Sequence, residues 1–373
     1  MQWFKNVAYI LIVLIGGGFL LLTFQDLLFP VFFAIFFAFL LMPMEKWIYR
    51  RIRSKFASIT LSLLLVLGTI GGFLFIFGNQ LIVIISNMNS ITDQLQDGLQ
   101  RILKFVDENV PYVEVPADQE SLNRTMAKLM EAPISFIGSS ITNVALFIFN
   151  ALLTLIYTVF ILIYKESFRD FFMIQFGKDK REEIGVIVKQ TVHLIQKYLS
   201  GLVIVIIILA FLNCIGLLII GVEYAIFWGV LAACLVVIPY IGTTLGGTLP
   251  FLYAMATGEP WQPWAVVGMY VVIQQLEGNI ITPKIVGSSV RINPLFALFA
   301  VVVMGSILGI GGIVLAIPTI AVFKLIAEQI DVLKPIALLM DKDLIKKRGM
   351  FYGKFDREDF RLSTFLNEEE NKR

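Results

Sequence analysis

The amino-acid sequence predicts an all-α, polytopic integral membrane protein with about six to eight transmembrane segments. The composition is far from that of a soluble domain: 58% of the 373 residues are hydrophobic, 16% are charged and the mean hydropathy is +0.83. Soluble domains contain about 25% charged residues. Apolar runs of membrane-spanning length recur along the chain. Between residues 201 and 330 they are interrupted by Pro, Gly and a few polar side chains, which predicts two broken or re-entrant helical hairpins.

The N-terminal part, residues 1–85, is predicted to form three transmembrane helices. Residues 7–24 and 27–42 are apolar, and the polar link between them is short enough to require an antiparallel hairpin. The next stretch, 45–55, has five basic residues and one acid, and short loops this basic lie in the cytoplasm. We therefore expect the N-terminus inside and the third helix, 57–85, to run outward.

Residues 86–135 form a polar insertion that this topology places outside the cytoplasm. Apolar residues at helical spacing predict helices there. The insertion is either an external lid or oligomer-packing arm, or a connector that rests on the membrane surface. Residues 136–200 are then predicted to contain a fourth transmembrane helix, 136–164, and an amphipathic helix along the cytoplasmic face that leads into a fifth span at 201–221.

The predicted transport core, residues 201–330, permits two threadings after the fifth span. In the first, 225–257 and 294–328 each cross the membrane once. In the second, both segments are re-entrant hairpins, broken at 239–242 and 309–312. In both threadings residues 264–281 cross the membrane between them.

Charge placement and length favour the hairpins. Only the second threading puts Lys284 and Arg291 in the cytoplasm, as the distribution of basic residues in membrane proteins prefers. Each hairpin arm would contain about 14–16 residues, or roughly 21–24 Å of helix, which is too short for a hydrocarbon core of about 30 Å. Lys324, near the inner end of the last segment, is expected to extend its amine toward the membrane surface. Residues 331–373 form a cytoplasmic tail, so both termini lie inside.

One polar stripe within the core is the strongest candidate for a substrate or ion site. Ionisable side chains at membrane depth are costly, so Glu277 is a functional candidate. On a helix Gln274 lies on the same face as Glu277, with Gln275 and Asn279 adjacent. This stripe could bind a cation, a proton or a hydroxylated solute, or it could be a structural network between helices. Arg291 could pair with Glu277 or bind an anionic substrate.

The helix breaks are the second group of candidate residues, with a gating role. They would free backbone groups for ligands, although glycines at such positions can equally serve close helix packing. These residues are Pro239, Gly242, Gly246, Gly247, Pro250, Pro283, Gly287, Pro294, Gly309, Gly311, Gly312 and Pro318.

The sequence contains no pattern typical of an enzyme, so we expect no catalytic residues. The lone His193 lies on a different predicted element from the membrane serines, and Cys214 and Cys234 fall inside apolar runs, which indicates neither a disulfide framework nor a metal site. We expect no cofactor, with H⁺ or Na⁺ as candidate coupling ions. The expected partners are membrane lipid, a small-molecule or ion substrate and further copies of the chain, with no nucleic acid.

The order and spacing of several motifs resemble the AI-2E family of bacterial membrane proteins, the autoinducer-2 exporter or PerM-like family. The motifs are P-Y-I-G at 239–242, P-x₇-G at 250–258, Q-x-x-E at 274–277, P-x-x-x-G at 283–287 and P-L at 294–295, together with the closing glycine cluster and Pro318. The resemblance implies a multi-pass permease of the bacterial inner membrane. Some family members are assigned export of autoinducer-2, and others sodium or lithium/proton antiport.

Three functional hypotheses follow from the residues and the resemblance. The leading one is a secondary transporter or exporter of a small polar solute, similar to autoinducer-2 if the resemblance extends to the substrate. The second is a Na⁺(Li⁺)/H⁺ antiporter with Glu277 as the exchanging carboxylate; a single candidate acid weighs against it, because antiporters often use an acidic pair. The third is a membrane scaffold that transports nothing and holds partners through its polar segments.

Overall fold

The computed structural model describes residues 12, 15–86, 98, 144–175, 181–239, 241–287, 291–330 and 333–342. Within these ranges every regular element is a helix, which confirms the all-α fold class. Five of the described helices are long and apolar enough to cross a membrane. Nearly all of the predicted polar insertion, most of the predicted C-terminal tail and the first part of the 7–24 span lie outside the described residues.

The described helices are numbered here in chain order. They are α1 (Gln25–Ile52), α2 (Lys55–Ser86), α3 (Val144–Gln175), α4 (Arg181–Ile220), α5 (Ala225–Leu235), α6 (Ile241–Thr257), α7 (Gln262–Leu276), a π-helix (Glu277–Ile281), α8 (Thr282–Ile285), α9 (Pro294–Ala327) and α10 (Lys334–Leu339).

The chain divides into two compact units that interleave along the sequence. The first unit comprises residues 1–59, 151–201 and 286–373, and the second comprises 60–150 and 202–285. The core of the first unit includes Phe36, Ile195 and Leu315. The core of the second is larger and is centred on aromatic residues, among them Trp228 and Tyr253.

The basic loop predicted after Pro43 is instead the end of α1. The helix continues through Pro43 to Ile52, because transmembrane helices tolerate an interior proline better than the sequence pattern suggests. Arg53 then ends the helix in a left-handed conformation with φ 56°, and its amide donates to the carbonyl of Tyr49. Arg50 and Arg51 occupy the last turn, where basic side chains interact favourably with the negative end of the helix dipole.

The fourth and fifth spans are also longer than predicted. The fourth span was expected to end at residue 164, but α3 continues to Gln175. The amphipathic helix predicted to lie along the cytoplasmic face is the first part of α4, which contains 40 residues without a break. Such a helix is about 60 Å long, and no proline occurs within it to separate the two predicted parts.

The first predicted hairpin is confirmed as a chain reversal in the second unit. Helix α5 has 11 residues, about 16 Å, which is too short to cross a membrane alone. It ends at Leu235, residues 236–239 form turns, and α6 runs back beside it. A Cβ atom on Gly242 would overlap the carbonyl oxygen of Leu235, and one on Gly246 would lie 3.0 Å from the Cα of Ala232.

The second predicted hairpin is confirmed inside α9, in the first unit. Gly309 has φ 59° and ψ −146°, a conformation outside any helix, and it divides α9 into two arms. The arms pack together, because a Cβ atom on Gly312 would overlap the carbonyl oxygen of Met304. In a straight helix these two positions would be about 12 Å apart along the axis.

Candidate functional site

A small pocket in the second unit lies against the break between α5 and α6. Its walls come from α4, α5, α6, α7 and the π-helix. The lining residues are Leu209, Asn213, Ala232, Val236, Thr243, Gly246, Tyr270, Ile273, Gln274 and Glu277. The enclosed volume is about 20 Å³, which has room for about one water-sized group.

Glu277 is held in this pocket by two neutral hydrogen-bond donors. The Nε2 of Gln274 donates to one carboxylate oxygen at 2.9 Å, and the Oγ1 of Thr282 donates to the other at 3.0 Å. Hydrogen bonds to a carboxylate are stronger than those between neutral groups. Both carboxylate oxygens are therefore oriented before any ligand arrives.

The π-helix explains why Thr282 is a partner of Glu277. The two residues are five positions apart, which matches the i to i+5 hydrogen-bond spacing of a π-turn. Our sequence reasoning placed only positions three and four apart on one face, so it missed Thr282. Single π-turns within α-helices are frequently found at functional sites.

The predicted polar stripe separates into two pairs. Gln274 and Glu277 line the pocket and hydrogen-bond each other. The Nδ2 of Asn279 donates to the Oε1 of Gln275 at 2.8 Å, but both side chains are exposed and neither lines the pocket. The pairing by helical spacing is as expected, while only one pair faces the cavity.

Arg291 belongs to the first unit and is not among the pocket-lining residues. Its side chain is exposed, and its carbonyl accepts a hydrogen bond from the Nζ of Lys324. Lys324 is therefore buried and paired, so the expectation that it extends toward the membrane surface is wrong. The two hydrogen-bond donors to Glu277 are both uncharged.

Two pocket residues were not singled out from the sequence. Asn213 is 3% exposed, and its Nδ2 donates to the carbonyl of Gly229 at 3.4 Å. Its Oδ1 and the hydroxyl of Tyr270 are buried and have no hydrogen-bond partner within the described part of the chain. The signal for Asn213 was present, because it is the only side-chain amide in the apolar second half of α4, and polar residues in such segments are functional candidates.

Among the predicted gating residues of the first hairpin, Gly246 alone lines the pocket. Gly242 and Gly246 permit the close approach of α5 and α6, and a Cβ on Gly247 would contact the ring of Tyr270 at 3.4 Å. Pro239 lies in the turn, and Pro250 is buried within α6. Their structural contribution is to bring three helices together around the cavity.

The remaining predicted gating residues lie outside the pocket. Pro283 lies in α8 and Gly287 in the turn that follows. Pro294 is the first residue of α9, and Pro318 is buried in its second arm. Gly311 faces the rings of Phe29 and Phe33 within the first unit, where an added Cβ would be too close to both.

The chemistry available in the pocket is hydrogen bonding. The polar lining consists of a carboxylate, two amides and two hydroxyl groups. Within the described residues, no group of three or more His, Cys, Asp or Glu side chains is arranged to hold a metal ion. The pocket can therefore bind and orient a polar group.

The membrane-length helices, the two reversals and the polar pocket beside a broken helix define a class of protein. Secondary transporters build substrate sites in this way, from discontinuous helices near the middle of the membrane. The family model for AI-2E family transporters matches residues 9–331 of the chain. The protein belongs to this family, which confirms the resemblance found in its motifs.

Several characterised sequences are similar to the chain over most of its length. "Putative transport protein YueF" of Bacillus subtilis (strain 168) is 25% identical over 345 residues, covering 86% of this chain and 91% of YueF. "Putative permease PerM" of Escherichia coli (strain K12) is 25% identical, covering 87% of this chain and 95% of PerM. "AI-2 transport protein TqsA" of the same strain is 30% identical over 126 residues, or 34% of this chain and 36% of TqsA.

Proposed function

We propose that this protein is a secondary transporter that moves a small polar solute across the bacterial inner membrane. The observation that supports this most directly is the pocket of the second unit, where Glu277, Gln274 and Asn213 converge beside the first hairpin. A broken helix next to a few oriented polar groups is the usual construction of a transporter site.

Autoinducer-2 is the first solute to test. The similarity to TqsA supports this choice, although that similarity covers 34% of the chain. The enclosed volume of about 20 Å³ is too small for a whole furanone, since drug-sized ligands occupy pockets of about 300–1,000 Å³. Transport of such a solute therefore requires the first hairpin to move away from α4 or α7.

The proposed orientation places both termini in the cytoplasm. Arg50, Arg51 and Arg53 at the end of α1 support it, because cytoplasmic ends of membrane helices carry an excess of basic residues. The proposal includes membrane lipid and other copies of the chain as partners. H⁺ and Na⁺ are the proposed coupling ions.

Flux into proteoliposomes of the purified full-length protein tests this function. Radiolabelled autoinducer-2 and internal pH are followed in parallel, with and without a sodium gradient. Glu277→Gln should reduce solute flux strongly while the protein still assembles. The control is Glu259→Gln, the same chemical change at an exposed side chain outside the pocket.

The other outcomes distinguish the alternative functions. Sodium-dependent proton movement that disappears in Glu277→Gln would replace solute transport with antiport. Loss of assembly in Glu277→Gln would instead indicate a structural role for the carboxylate. Equal autoinducer-2 flux in wild-type and protein-free vesicles would remove this solute from the proposal.

A further inference from the structure

We propose that Asn213 is a specificity-determining residue, whose Oδ1 accepts a hydrogen bond from a hydroxyl or ammonium group of the transported solute. The pocket would then accept neutral or cationic hydrogen-bond donors and exclude anions. This inference rests on the proposed function, because it concerns the substrate class of the same pocket. Neither the sequence motifs nor the similarity to relatives points to this residue.

The orientation of the Asn213 amide is set by its surroundings. Its Nδ2 donates to the carbonyl of Gly229, and a carbonyl oxygen can accept only from the NH₂ group of an amide. The Oδ1 must therefore point the other way. The side chain is 3% exposed, and this oxygen has no partner among the described residues.

The position of Gly229 keeps this orientation rigid. A Cβ atom on Gly229 would lie 2.6 Å from the backbone nitrogen of Cys214 and 2.7 Å from its sulfur. The backbones of α4 and α5 are therefore in close contact immediately beside Asn213. Because packed backbones move less easily than side chains, the Oδ1 is presented to the cavity in one fixed place.

The charges around the cavity favour a donor. Glu277 contributes a carboxylate, and the NH₂ group of Gln274 is already used to hold it. No Lys, Arg or His is among the residues that line the pocket. An anionic solute would place its charge near the carboxylate of Glu277 and next to an acceptor oxygen, and both contacts are repulsive.

The burial of an unpaired oxygen explains how this residue discriminates. A buried acceptor without a partner is costly, and a solute that donates to it removes this cost. A solute without a donor leaves the oxygen unpaired. Sites built to hydrogen-bond a substrate hydroxyl reject analogues that lack it far more strongly than apolar pockets reject an extra methylene.

Flux of three small probes through the purified full-length protein in proteoliposomes tests the inference. The probes are erythritol as a neutral hydroxyl donor, ethanolamine as a cationic ammonium donor and lactate as an anion. The wild-type protein should transport erythritol, ethanolamine or both, and should not transport lactate above protein-free vesicles. The two donor probes show which donor group the pocket prefers.

Asn213→Leu removes the acceptor at similar side-chain volume. It should reduce the flux of the transported probe by about tenfold or more, which corresponds to the loss of one good hydrogen bond. Asn150→Leu is the matched control, because this asparagine lies on α3, outside the pocket. Lactate flux equal to that of the other probes, or unchanged flux in Asn213→Leu, would overturn the inference while leaving transport itself established.

A binding measurement separates this inference from the proposed function. Thermal unfolding of the wild-type protein and of Asn213→Leu is recorded with erythritol, with ethanolamine and with lactate at equal osmolarity. A ligand of the folded state raises its midpoint of unfolding. If no probe is transported, transport of this solute class fails. The inference still holds if a donor probe raises the midpoint of the wild-type protein more than that of the variant. Equal shifts in both proteins would assign the Oδ1 to a structural water only and overturn it.

Discussion

The Nζ of Lys165 donates to the Oε2 of Glu45 across 2.7 Å and joins α3 to α1 within the first unit. Glu45 is 3% exposed. From the sequence, Glu45 was only the single acid of a basic loop. Because α1 continues through Pro43, the residue is instead part of a helix that packs against α3.

Removing one member of this ion pair should destabilise the protein. Lys165→Met leaves the carboxylate of Glu45 buried without its cation, and such losses cost about 3–5 kcal/mol. The measurement is thermal unfolding of the purified protein in detergent. Asp170→Asn is the control, because the Arg169–Asp170 pair is more than half exposed and pairs of this kind contribute about 0–1 kcal/mol.

A double substitution checks that the loss reflects the uncompensated charge. Glu45→Met combined with Lys165→Met replaces the pair by apolar groups of similar size, which is often neutral or stabilising. The double variant should unfold at a higher temperature than Lys165→Met alone. If it unfolds at a lower temperature, the pair contributes specific stabilisation beyond charge compensation.

Lys324 fixes the end of the second hairpin to the segments around it. Its Nζ donates to the carbonyl of Arg291 and lies 3.5 Å from Asp341 and 3.7 Å from Glu328. Lys324→Met should lower the free energy of unfolding by about 3 kcal/mol or more, since it leaves the carboxylate of Asp341, which is mostly buried, without its cation. Thermal unfolding measures this change.

The partner at position 328 provides the matched comparison for Lys324. Glu328 is 50% exposed, and exposed ion pairs contribute little. Glu328→Gln should therefore change stability by less than about 1 kcal/mol. A larger loss in Glu328→Gln than in Lys324→Met would mean that the exposed pair, and not the buried amine, holds the hairpin end in place.

The sequence predicts the reversals of the chain better than the extent of its helices. Gly309 and the Pro239–Gly242 break were identified because Gly and Pro interrupt apolar runs that are otherwise continuous. The ends of α1 and α3 were missed, because Pro43 and the charged residues after residue 164 looked like loop signals. Inside a packed unit, the hydrogen bonds of a continuous helix outweigh these local preferences.

The candidate site was predicted in part for a similar reason. Glu277 and Gln274 were found because polar side chains in an apolar run are conspicuous. Thr282 required knowledge of the π-helix, and Asn213 required knowledge of which residues of α4 face the first hairpin. Lys324 was misjudged because its surroundings depend on Arg291 and Asp341, which are distant in the sequence.

The hydroxyl of Thr282 should be needed to hold Glu277 in the pocket. Thr282→Val removes this donor at equal volume, and the loss of a hydrogen bond to a charged group amounts to about 1.5–3 kcal/mol. We expect solute flux in proteoliposomes to fall by about tenfold. Thr282→Ser retains the hydroxyl and should restore most of the flux; failure of serine to do so would assign the effect to packing of the methyl group.

Gly309 should be the least replaceable residue of the second hairpin. Its φ of 59° with ψ of −146° lies in a region that is essentially restricted to glycine, although no atom lies within 4 Å of an added Cβ. Gly309→Ala therefore tests backbone conformation without a steric clash and should lower the free energy of unfolding by about 1–3 kcal/mol. The control is Ser306→Ala, one turn earlier on an exposed face. Thermal unfolding of both variants measures the difference, and an alanine at 309 as stable as the wild type would mean that the two arms can reverse without this conformation.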